Sequence, residues 1–92
     1  MADIHIVQAH ALSPAQAREA AQQVTDKLAR DYQLSCAWDG DVLRFERSGV
    51  NGELLLEAGR AIVDVRLGFM MGAFAPAIET KLAASMKKLF AS

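Results

Sequence analysis

Between Leu34 and Leu67 the sequence repeats with a period of two, and glycine dipeptides divide that stretch into short segments. Leu34, Cys36 and Trp38 alternate with Ser35, Ala37 and Asp39. Leu43 and Phe45 share one side of the next segment, and the same rhythm runs through Val50–Glu57 and Ala61–Leu67. Alternation of this kind gives a strand one apolar and one polar face. Four such strands joined by tight turns predict a meander, an antiparallel sheet that buries only one of its faces.

The turns set the register. Asp39-Gly40 is a strong two-residue hairpin signal, and as the turn it sets Cys36 opposite Leu43 and Leu34 opposite Phe45. For the next hairpin, Asn51-Gly52 would place Glu46 against Glu57, a like-charge pair. Ser48-Gly49 instead pairs Arg44 with Glu53 and Leu43 with Leu54, and is preferred. Ala58-Gly59 then sets Glu57 beside Arg60 and Leu54 beside Val63, at the cost of Glu53 opposite Asp64. The predicted inner face is Leu34, Cys36, Trp38, Leu43, Phe45, Leu54, Leu56, Val63, Val65 and Leu67.

Two helices are available to cover it. Ser13, Pro14 and Gln16 form the start of the first: an N-cap, a proline at the first helical position and the partner of a capping box. Ala17, Ala20, Ala21, Val24 and Leu28 recur at helical spacing behind them. Pro76 opens the second, which runs to Phe90 with Ile78, Leu82, Met86 and Leu89 as its stripe. A strand from Ile4 to Ala9 precedes everything, with Ile4 and Ile6 on one face and His5 and Val7 on the other. The expected fold is α+β, ordered β-α-β-β-β-β-α, with a largely antiparallel sheet and both helices on one face. Its 92 residues suit one domain.

Two surfaces stand out as binding candidates. On the outer face the rows read Ser35-Arg44-Glu53-Asp64 and, beside it, Ala37-Val42-Leu55-Ile62. The second is an apolar band where a solvated face is expected. It is read as the face of a homodimer, weighed against ordinary β-propensity. The other is the connector before the last helix, where Phe69, Met70, Met71 and Phe74 lie between and beyond Gly68 and Gly72. Not all four can pack inward, and methionines flanked by phenylalanines suit an adaptable apolar contact.

Chemistry is harder to find. His5, His10 and Cys36 are the only soft ligands, at no recognised metal spacing, and a site needs three or four convergent donors. Cys36 lacks the supporting groups of a nucleophile. Asp39 and Asp41 flank Gly40 as turn residues. Gly49-Val50-Asn51-Gly52 lacks the strand and helix of a phosphate cradle. No catalytic residue, cofactor or metal is expected. A net charge of −1 and a pI of about 6.1 argue against a nucleic-acid binder. The single cysteine demands no oxidising compartment, and no segment is apolar for long enough to span a membrane, so a cytoplasmic protein is expected.

The order of several short motifs is distinctive. Ala2-Asp3-Ile4-His5-Ile6 with His10 comes first. Tyr32-x-Leu34 and Trp38-x-Gly40-Asp41 follow, then Phe45-x-Arg47-x-Gly49-Val50-x-Gly52, then Leu67-Gly68-Phe69 before the last helix. Together they resemble the polyhydroxyalkanoic acid system family, small bacterial proteins named for genes lying near polyester-granule genes. The resemblance covers nearly the whole chain and brings no catalytic residues with it. It implies a non-enzymatic role at, or in control of, polyhydroxyalkanoate granules, with the granule surface or granule proteins as partners. The alternatives are a carrier holding an acyl or lipid-like molecule between sheet and last helix, or a generic homodimeric module.

Overall fold

The computed structural model describes residues 2–68 and 70–90. Its elements follow the expected order: β1 (Ala2–Ala9), α1 (Pro14–Tyr32), β2 (Ser35–Asp39), β3 (Val42–Arg47), β4 (Val50–Glu57), β5 (Arg60–Leu67) and α2 (Ala75–Phe90), with a 3-10 turn at Gly72–Phe74. The strands form one antiparallel sheet in the order β1-β5-β4-β3-β2. The first strand, which local pattern could not place, takes the edge beside the last.

α1 begins with a complete capping box. Ser13 Oγ accepts from the Gln16 N–H at 3.2 Å, and Gln16 Oε1 accepts from the Ser13 N–H at 3.1 Å. The helix ends at Gln33, which adopts φ 57° and ψ 52°, a left-handed conformation that glycine usually supplies. Its buried stripe is the expected alanine-rich one with Thr25 added. Thr25 tolerates burial because its hydroxyl donates to the Ala21 carbonyl at 2.9 Å. Asp26 accepts from Gln22 at 2.7 Å rather than pairing with Arg30, four residues on.

The two helices share the inner face, α1 over β2, β3 and β4 and α2 over β1, and they pack on each other. Leu43, Leu54, Val63 and Met86 are wholly buried, with Phe45, Val65, Leu67 and Phe90 nearly so. On α2, Phe90 takes the interior place expected of Leu89, and its ring lies 5.3 Å from that of His10. One glycine is required by packing. A Cβ on Gly52 would lie 2.1 Å from Phe45 Cε2, so the Phe45 ring lies across the strand opposite it, where that side chain would be.

Two of the three hairpins keep the expected register, turning at Ser48-Gly49 and Ala58-Gly59 with positive φ at each glycine. The β2–β3 hairpin does not. It turns at Gly40-Asp41, so Cys36 faces Phe45 and Trp38 faces Leu43. The cause is tertiary. Arg18 of α1 donates to the Gly40 carbonyl at 2.9 Å and stacks 4.0 Å above the Trp38 ring. The Trp38 indole N–H reaches Gln22 at 2.8 Å. A shift of two residues preserves parity, so the inner face keeps its members while the outer rows change partners.

Candidate functional site

The connector is held at both ends. The Gly68 N–H donates to the Gly49 carbonyl at 2.8 Å, tying the end of β5 to the β3–β4 turn. The Gly68 carbonyl then accepts from the N–H groups of Met71 and Gly72 at 3.1 and 2.9 Å, and Phe74 N–H donates to Met71 at 3.0 Å. Gly49 makes room for this: a Cβ there would lie 3.0 Å from Met71 Cγ.

That geometry divides the expected patch. Met71 turns inward and packs half-buried against the core. Met70 is 82% exposed and Phe74 47% exposed. Phe69 lies outside the described residues. The structure adds Tyr32, from the end of α1, whose ring meets Phe74 edge-on at 6.2 Å. Lys81 lies 5.7 Å above the same Tyr32 ring and binds Asp31 at 2.6 Å. That bond and the Lys81 charge hold the Asp31 carboxyl below its ordinary range, and Asp31 in turn raises Lys81. Tyr32 could not be assigned to this surface from sequence, because only helix packing brings it beside Phe74.

Among the described residues no helix covers the outer face of the sheet. Its apolar row is Val42-Leu55-Ile62-Val7, each opposite the next, with Val7 49% exposed and the other three half-buried. Ala37 does not belong to it. The shifted β2–β3 turn sets Ala37 opposite Arg44 and Asp39 opposite Val42. Val7 enters instead, because β1 lies beside β5. The neighbouring row is charged: Arg44, Glu53, Asp64 and His5. Asp64, which faces Glu53, is bound by His5 Nδ1 at 2.5 Å, and Arg44 lies between Asp39 at 3.7 Å and Glu53 at 4.0 Å. His5, Arg44, Glu53 and Asp64 line a shallow hollow of about 660 Å³ centred over β4 and β5.

His5, His10 and Cys36 are dispersed. His5 is on the outer face of β1, while Cys36 is on the inner side of β2, at the opposite edge of the sheet. Burial, with a smaller contribution from Asp26, raises the Cys36 thiol, which disfavours the thiolate that a nucleophile requires. His10 follows β1 under the end of α2. Its Nδ1 accepts from Leu12 N–H at 3.1 Å, and its Nε2 is buried without a hydrogen-bond partner among the described residues. Among those residues no three His, Cys, Asp or Glu side chains converge as metal ligands, and no helix is long and apolar enough to cross a membrane.

The candidate sites among the described residues are thus two surfaces, the connector and the outer face of the sheet. No curated protein matches the chain. A family model does, over residues 4–90, which takes in β1 from Ile4 onward, the other four strands, both helices and the connector. By that match the chain belongs to the polyhydroxyalkanoic acid system protein family.

Proposed function

We propose that the protein works without catalysis at polyhydroxyalkanoate storage granules, or in their regulation, in the cytoplasm, and that the connector is its contact with the granule. The observation that carries this reading is the exposure of Met70 and Phe74 on a backbone pinned by Gly68 and Gly49. A large side chain held out by a tied backbone loses little conformational freedom when it docks. Methionine and phenylalanine also suit an irregular apolar surface such as a polyester. The family description points to the polyhydroxyalkanoate system, and the exposed connector supports contact with the polymer.

The test is sedimentation of the purified protein with polyhydroxybutyrate particles, alongside imaging of a tagged copy in polymer-accumulating cells. Removing two apolar anchors with Met70→Ser and Phe74→Ser is expected to weaken particle binding about tenfold or more. Diffuse wild-type signal in cells full of polymer would defeat the reading.

A second reading, homodimerisation through the outer face, rests on the uncovered Val42-Leu55-Ile62-Val7 row. Leu55→Lys tests it by light scattering, and a wild type monomeric at high micromolar concentration removes it. A carrier holding its cargo between sheet and α2 finds that space filled by Ile78, Leu82, Met86 and Phe90.

A further inference from the structure

α1 and α2 run side by side but do not close completely. Between them, on the side away from the sheet, lies a groove of about 420 Å³, within the usual size range of small-molecule sites. Its floor is apolar, formed by Val24 and Leu28 of α1 and Leu82 of α2. It stays open because α2 presents only Ala84 and Ser85 on its flank.

Its rim is cationic. Lys27, Arg30 and Lys81 stand around the apolar floor, with Asp31 as the one carboxylate in the lining. Lys81 already binds that carboxylate, across the gap between the helices. Lys27 and Arg30 have no carboxylate within 4.0 Å among the described residues, since Asp26 is held by Gln22. An apolar trough whose rim carries three cations against one carboxylate is net positive, and is complementary to a linear apolar tail ending in one negative charge.

We infer that this interhelical groove is a binding site for a single-chain acyl carboxylate, with the tail on Val24, Leu28 and Leu82 and the carboxylate at Lys27 and Arg30. The room between two packed helices admits one chain, not the paired tails of a phospholipid. The site is separate from the connector and does not depend on the granule reading. Arg30 and Lys27 are exposed, so replacing them leaves the core intact.

The test is an amide NMR titration of the full chain with sodium decanoate below its micelle concentration. Parallel titrations use 1-decanol and phosphatidylglycerol vesicles. The expected result is saturable shifts at Val24, Leu28, Leu82 and Ser85, with decanol binding more weakly. Lys27→Glu with Arg30→Glu should weaken decanoate about tenfold while the spectrum stays dispersed. Ser85→Phe, which fills the trough and leaves every charge in place, should abolish the shifts. Met70→Ser with Phe74→Ser should leave them unchanged. The assignment is overturned by equal affinity for decanoate and decanol, or by decanoate affinity unchanged in the double charge reversal. Shifts confined to the connector, or binding to vesicles but not to dissolved decanoate, would equally overturn it.

Discussion

The two faces of the sheet are built from the same strands and obey different rules. On the inner face the central residues Leu43, Phe45, Leu54, Val63 and Val65 are sealed under the helices, and shape decides what fits: Phe45 lies where a side chain on Gly52 would have to be. On the outer face the alternate residues form an apolar row beside a charged one, and no helix constrains either. A hydrophobic residue inside is therefore a statement about stability, whereas one in the outer row bears on stability far less.

The sharpest way to break this contrast is at Phe45. Phe45→Ala should cost about 3–5 kcal/mol in urea unfolding, the usual toll of removing a buried ring. A loss under 1 kcal/mol would mean the inner face is not the jigsaw described. Gly52→Ala attacks the same contact from the other strand by crowding rather than by emptying. It should cost about 1–3 kcal/mol, and the pair Phe45→Leu, Gly52→Ala should cost less than the two changes summed.

Leu55→Lys probes the other face. Monomer stability should move by no more than about 0.5 kcal/mol, since the side chain already meets solvent. A larger loss at a concentration where the protein is monomeric would show the outer row to be structural after all.

The smallest effect is at the seam between the covering helices. Lys81 lowers the Asp31 pKa and Asp31 raises that of Lys81. Asp31 thus contributes stability above the ordinary aspartate range, lost as the pH falls through its lowered pKa. Lys81 contributes below the ordinary lysine range, lost as the pH rises through its raised one. Both are exposed, so Asp31→Asn should lower the melting temperature only slightly at pH 7. The gap should close progressively in acid, and a gap that persists there would assign it to something other than the ion pair.

Much of this was legible in the sequence, for a physical reason. Strand parity and glycine turns are local, so the inner face, two of three hairpins and the element order could be read along the chain. The β2–β3 register could not, because Arg18 and Gln22, contributed by α1, grip the turn and Trp38. Val7 was likewise invisible as the end of the outer row until β1 lay beside β5. The connector was legible as an apolar surface, but not the division of labour within it. Met71 turns in because Gly49, twenty-two residues earlier, leaves it room. The interhelical groove had only a faint signal, in Lys27 and Arg30 flanking the buried Leu28.

The edge position of β1 has a consequence in time. Strands β2 to β5 each pair with a neighbour in sequence, whereas β1 pairs across 51 residues at Ala9–Arg60 and 65 at Ala2–Leu67. Loop closure over that distance is slow relative to hairpin formation. The meander should therefore assemble first, with the free edge of β5 waiting for a strand made long before it. Pulsed hydrogen exchange during refolding should protect the β3–β4 amides ahead of those of β1, and simultaneous protection would show that the sheet closes in one step.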